Sequence, residues 1–360
     1  MRLAIFLIPI LLAIAAVACG SPTGGTDLAT SSENPPVERI VSSNPTAVSP
    51  HAEKPSTGQP TIENFTTENP TVTPVAADQS SSLPPESQSW TMFRFNLEHS
   101  AETDNEGLSG RAKLKWRFDT GGTVESSPAI VDGVLYEGTF NNSLLALDAP
   151  TGTLLWRFPV SGLLRASPAV IDGTVYFGAD DNKFYAVDAV SGKEKWSFQL
   201  GQGGQQSSPA VAEGVVYFGA FDNNVYALEV ETGREVWRFA TGAGILSSPA
   251  VANDAVYIGS IDGNLYSLSR ETGEELWRFS TGGPVFSSPA VREGVVYFGS
   301  DDGLIYAVEA ENGEERWRFR TSAEVFSSPA ISQGALYIGS NDGFVYALDA
   351  ATGSTTGNPA

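Results

Sequence analysis

The sequence predicts an all-β protein, a β-propeller of six four-stranded blades with seven as the alternative, and three observations carry that expectation. Tryptophan recurs at Trp116, Trp156, Trp196, Trp237, Trp277 and Trp317, in steps of 40, 40, 41, 40 and 40 residues. A fixed period of this size marks a repeat architecture whose stacked units share one core. Each period holds four apolar runs of strand length, separated by turn dipeptides. All 11 tyrosines lie in the repeats. They form two rows, Tyr136, Tyr176, Tyr217, Tyr257, Tyr297, Tyr337 and Tyr185, Tyr226, Tyr266, Tyr306, Tyr346, with Leu145 opening the second. Periodic aromatics on short strands read as packing between blades.

Met1-Arg2 is a short basic start, Leu3 to Val17 is apolar apart from Pro9, and Ala16-Val17-Ala18-Cys19-Gly20 closes the run with small residues around the only cysteine. This pattern resembles a bacterial lipoprotein signal with its lipobox, although Ala16 stands where the family more often has Leu. The resemblance implies a signal peptide over 1–18, cleavage before Cys19 and lipidation there, with the chain anchored on the exported side of a bacterial membrane. The run is shorter than the ~20 apolar residues of a spanning helix, and two or more acyl chains anchor stably. Residues 19–89 read as a disordered tether: 11 of the 22 prolines fall within 20–88, among many Ser, Thr and Asn, with no apolar period. As a coil the tether would span roughly 45 Å. The formal net charge is -21, and the first 89 residues hold only 3 Lys/Arg and 8 Asp/Glu. Most of the negative charge is therefore on the repeats, which repel phosphate backbones and exclude nucleic acid as a partner.

A pre-blade segment over 90–112 precedes the propeller at 113–353, and 354–360 is a disordered tail. The period 284–319 shows what one repeat builds. Val285 to Val291 is the first predicted strand; Glu293-Gly294 turns into Val295–Ser300, Asp302-Gly303 into Leu304–Glu309, and Asn312-Gly313 into Glu315–Phe319. Asp-Gly and Asn-Gly favour hairpins because those residues tolerate positive φ. Four short antiparallel strands repeated six times fit propeller blades.

The run Ala146-Leu147-Asp148-Ala149-Pro150-Thr151-Gly152-Thr153-Leu154-Leu155-Trp156 resembles the tryptophan-docking motif of pyrroloquinoline-quinone-type (PQQ-like) propellers, and Trp90-Thr91-Met92-Phe93-Arg94-Phe95 resembles the segment that precedes their first blade. The resemblance covers about 90–353 and implies that each tryptophan docks on the following blade. WD repeats fit less well, since here Arg or Ser follows the Trp. The last repeat ends near Gly353 without a tryptophan strand, while Lys113-Leu114-Lys115-Trp116-Arg117-Phe118 is a tryptophan strand with no blade before it. The sequence therefore predicts that 113–118 closes the sixth blade against the strand near 344–349, hiding exposed edges.

Quinoprotein dehydrogenases of this family would need a catalytic Asp, a calcium site and often a vicinal cysteine pair; only the fold motif is matched, and neither a cofactor nor a metal is expected. The two histidines, His51 and His99, lie outside the repeats, so a Ser-His-Asp system or histidine metal site has little to build on. Asp180-Asp181, Asp222-Asn223 and Asp301-Asp302 sit at a recurrent hairpin and read as turns rather than calcium ligands. Function is sought where the copies disagree. The position before each Ser-Ser-Pro reads Glu125, Arg165, Gln206, Leu246, Phe286 and Phe326; the hairpin tip reads Phe140, Asp180, Phe221, Ile261, Asp301 and Asn341. These twelve form a candidate binding rim with a polar and an apolar sector, or the apolar members plug the channel. Phe140 and Phe221 have no evident core to enter. The expectation is a non-catalytic, lipid-anchored, monomeric envelope module that binds a protein or peptide. The alternatives are a role similar to that of the outer-membrane assembly lipoprotein BamB, from which the tether and six blades depart, and a PQQ-dependent oxidoreductase.

Overall fold

The computed structural model describes residues 91–94, 96–99 and 113–355. The signal, Cys19, the tether, Trp90 and residues 356–360 lie outside the described residues. Six antiparallel sheets follow one another along the chain, five with four strands and the sixth with three. They are the six blades of an all-β propeller.

Blade five runs Ala290–Arg292, Val295–Gly299, Leu304–Glu309 and Glu315–Arg320 from the axis outward. Its first strand is shorter than expected for a physical reason. Ser287 and Ser288 bond to the next blade instead of to a ladder, the Ser287 hydroxyl donating to the Ser327 carbonyl and the Ser288 N–H to Ser328 Oγ, and Pro289 has no N–H to give. The turn after it places Glu293 and Gly294 at φ 50° and 77°, the left-handed pair that a tight hairpin needs.

One set of contacts joins every blade to the next. Each outer-strand tryptophan, and Trp116 before the first blade, donates its indole N–H at 2.8–3.0 Å to a carbonyl of the following blade. Its ring lies flat on a glycine there: a Cβ on Gly152, Gly192, Gly233, Gly273, Gly313 or Gly353 would come within 2.5–2.7 Å of the ring. Nearer the axis, a side chain just before the innermost strand of blades two to six presses on a glycine of the preceding blade, as Leu164 does on Gly138 and Val325 on Gly299; it is aliphatic in all but blade three. The N–H of Ser127, Ser167, Ser208, Ser248 and Ser288 donates to the next serine's hydroxyl oxygen at 2.8–3.0 Å. The hairpin aspartates Asp181, Asp222, Asp262, Asp302 and Asp342 accept a tyrosine hydroxyl of their own blade at 2.6–2.7 Å. Each also accepts an N–H from the loop leaving the blade before. These carboxylates are turn acceptors, as the sequence suggested.

The expected closure is not formed among the described residues. Segment 113–118 is in no strand and sits on blade one through Trp116, whose partner is the Ala149 carbonyl. At blade six the chain turns back locally: Asp349 N–H donates to Ser354, and Leu348 bridges Thr355, as Val308 pairs with Glu315 in blade five. A hairpin a few residues long costs far less closure entropy than a join across the whole propeller.

The pre-blade segment has a definite place. Thr91, Leu97 and Glu98 offer their carbonyls to the N–H groups of Val170, Val251 and Val291 at 2.7–2.8 Å, so the segment lies against the innermost strands of blades two, four and five. His99 is buried and its Nδ1 donates to the Pro289 carbonyl at 3.0 Å. Burial, with Arg94 nearby, lowers the His99 pKa from 6.5 to about 3.

Two outcomes follow. Gly273→Ala, at φ 73° beneath the Trp237 ring, should destabilise the propeller by roughly 2 kcal/mol or more, from backbone strain and displaced packing together, read by chemical denaturation. A neutral buried His99 means that the unfolded chain binds a proton below pH 6.5 that the folded chain refuses. Stability is thus lost as pH falls from 6.5 toward 3; His99→Gln should flatten that fall in the thermal midpoint between pH 6.5 and 4.

Candidate functional site

In every blade the hairpin tip is bonded to the loop that enters the innermost strand: the N–H groups of Phe140, Asp180, Phe221, Ile261, Asp301 and Asn341 donate to Thr123, Leu163, Gly204, Gly244, Pro284 and Glu324 at 2.9–3.2 Å. The two divergent rows therefore share one face of the propeller, the loop row standing two positions along the chain from the bonded carbonyl.

The structure gathers five of the twelve rim residues into one cluster. Arg165 bonds Glu125 at 2.9 Å and Asp180 at 3.1 Å, and its guanidinium lies 4.6 Å over the Phe140 ring. Gln206 lies beside Asp180 and favours its charged form. Phe140, which the sequence left without a place, is the platform for Arg165. Burial raises the Asp180 pKa, with Arg165 acting against it, and Asp180 Oδ1 meets no partner among the described residues. Across the rim, Phe286 and Phe326 stack at 4.8 Å and 12°, with Phe326 46% exposed. Phe221 and Ile261 flank Gly244; both are half-buried, as is Leu246, while Asn341 is exposed. Asp301 is pushed up to about 6, by burial first and then by Glu324 and Asp302. The polar cluster and the aromatic pair are thus separate patches on one face, one bearing a cation and one apolar.

Sequence reasoning passed over two buried polar groups. Glu137 occupies the strand position held elsewhere by Phe177, Phe218, Ile258, Phe298 and Ile338. It is 8% exposed and accepts from the Ser126 hydroxyl; burial pushes its pKa up to about 7, while the Ser126 and Gly138 hydrogen bonds pull it down. Gln205 takes the place of the aliphatic knobs Leu164 and Ile245, fully buried against Gly178. Both break an apolar column, and that break was the available signal. Because Glu137 is neutral more readily folded than unfolded, its contribution is fully present below about pH 4.5 and is lost as pH rises through about 7. Glu137→Gln should therefore raise stability at pH 8.5, by on the order of 3 kcal/mol, and change it little at pH 4.5, measured as the difference in denaturation midpoint.

Among solved structures the chain is similar to the computationally designed Ika8 protein, at 19% identity over 62% of this chain and 70% of that one, with a TM-score of 0.57. It is similar to a quinohemoprotein alcohol dehydrogenase from Pseudomonas putida at 18% identity and a TM-score of 0.63, over 72% of this chain; the chain spans 57% of that enzyme's length. BamB from Moraxella catarrhalis matches at 21% identity, 65% of this chain and 87% of that one, with a TM-score of 0.45, too low to carry an argument. At these identities the likeness is one of fold. No curated protein matches the sequence. The family described as "Beta-alanine-activating enzyme, beta-propeller" matches residues 170–357, more than half of the chain, and the protein belongs to that propeller family.

Proposed function

We propose that the protein is a non-catalytic binding module of the bacterial cell envelope, anchored by lipid at Cys19 and carried on the 19–89 tether, whose rim holds a peptide or protein segment. The observation that supports this reading is the Arg165 cluster. A guanidinium shared between Glu125 and Asp180, stacked on Phe140 and 31% exposed, keeps a charged donor fork at the surface in one orientation. Such a fork suits carboxylates and main-chain carbonyls. The Phe286–Phe326 stack on the same face suits an apolar side chain of the same segment. The scaffold residues repeat in nearly every blade whereas these do not, so their identity answers to something other than folding. The activity in the family's description is not carried over, because the match lies on the propeller repeats alone.

Arg165→Glu with Phe221→Ala should lower capture of an envelope segment by tenfold or more while the thermal midpoint moves little, since partly exposed ion pairs contribute only about 0–1 kcal/mol. Undiminished capture by the folded variant, or a quinone absorbance in the purified protein, would sink the reading.

A further inference from the structure

The contacts that join each blade to the next have one half left over on blade one and one on blade six, among the described residues. Consider the knobs first. Leu164, Gln205, Ile245, Val285 and Val325 are all 0% exposed, each pressed on the glycine of the blade before it: Gly138, Gly178, Gly219, Gly259 and Gly299. The sixth knob by spacing is Val124, which is 42% exposed. The sixth glycine is Gly339, where an added Cβ would meet only Ser327 of its own blade, at 3.6 Å.

The hydrogen bonds repeat the pattern. Tyr136, Tyr176, Tyr217, Tyr257 and Tyr297 donate to the carbonyls of Ala189, Val230, Arg270, Ala310 and Ala350, and each of those carbonyls also receives a tryptophan N–H. The Ala149 carbonyl of blade one receives Trp116 alone among the described residues. Tyr337 of blade six is 45% exposed and its hydroxyl meets no acceptor among the described residues. The serine ladder likewise starts at Ser127, with its hydroxyl unused, and stops at Ser328, with its N–H unused, among the described residues. Phe344 and Val345 of blade six are 65% and 78% exposed, whereas their blade-five counterparts Leu304 and Ile305 are 7% and 0% exposed.

The leading face of blade one and the trailing face of blade six are therefore the two halves of the contact that the chain already makes five times. We infer that they meet between two copies of this chain, blade six of one copy stacking on blade one of the next, with Val124 seated on Gly339 and Tyr337 reaching the Ala149 carbonyl. With the five contacts made, both faces stay uncovered among the described residues. Joining them within one chain requires the existing five to bend further, and well-packed contacts resist that; joining them between copies changes none. The occupant is a second copy because this chain itself carries every complementary group, so the expected monomer gives way to a self-associating protein. The contact is head-to-tail, which yields a ring or an open string of copies.

The test uses two full-length variants, both with Cys19→Ser, one bearing Val124→Cys and the other Gly339→Cys. Gly339 has an ordinary φ and open space, so the second folds. In the matching pairs Gly138–Leu164 and Gly259–Val285 the Cβ positions lie 2.9 and 3.0 Å apart, close enough for a disulfide after a small shift. Mixed under mild oxidation, the two should give a cross-linked dimer that neither gives alone. A chain carrying both cysteines should give a ladder. No cross-link in the mixture, or an internally cross-linked monomer from the double variant, overturns the inference. Without any cross-link, the parent's mean mass in sedimentation equilibrium should rise with concentration. Val345→Asp, at an exposed position, should abolish that rise with an unchanged thermal midpoint; a parent that stays monomeric throughout also overturns it.

Discussion

Everything in this propeller rests on side chains pressed against glycine. No blade has a core of its own; its two apolar faces are buried only when neighbours cover them. The glycines permit that cover at two radii. Near the axis an aliphatic knob sits on a strand glycine, and at the outer edge an indole lies on a turn glycine. Any side chain at either place would hold the blades apart. Hydrogen bonds donated by Trp, Tyr and Ser, and accepted by Asp, then set the angle at which one blade meets the next. Packing supplies the energy and the polar contacts supply the register, so five joints of one geometry arise from five copies of one sequence pattern.

How much of this is legible beforehand depends on the kind of residue. The Trp and Tyr rows, the turn dipeptides and the Ser-Ser-Pro steps announce blades because each has a single local reason to recur. The sequence period also picks out the divergent positions that share one face, since a divergent residue in a repeat stands out against its copies. What it does not reveal is contact between divergent residues. That Phe140 lies under Arg165 while Glu125 and Asp180 flank it depends on a chance combination across two blades, with no period to betray it. The closing of blade six is missed for a related reason. The sequence of 113–118 matches the missing outer strand in kind, but the local turn at Asp349 competes for the same place and has far less chain to order.

The single irregular step, 41 residues between Trp196 and Trp237, shows how tolerant the pattern is. The extra residue falls in the loop between blades two and three, where Gly203 and Gly204 take φ 120° and 80° and both N–H groups are held by Asn182 Oδ1. The insertion is absorbed before the innermost strand begins, and the joint beyond it is unchanged in kind, although Gln205 replaces an aliphatic knob there. A buried amide in that seat alters a scaffold contact without a charge or an aromatic taking over.

The placement of the pre-blade segment sets the order in which the molecule is finished. His99 bonds a carbonyl 190 positions further along the chain, and Glu98 waits for Val291. Blades can form one after another as the chain emerges, each on its predecessor, but Glu98 and His99, which leave the ribosome before any blade, find their partners only when blade five exists. Contacts of such long sequence separation form slowly. The segment made before any blade therefore settles in steps, Thr91 on blade two, Leu97 on blade four and Glu98 on blade five, and until each step is taken the innermost strand concerned keeps an open N–H group.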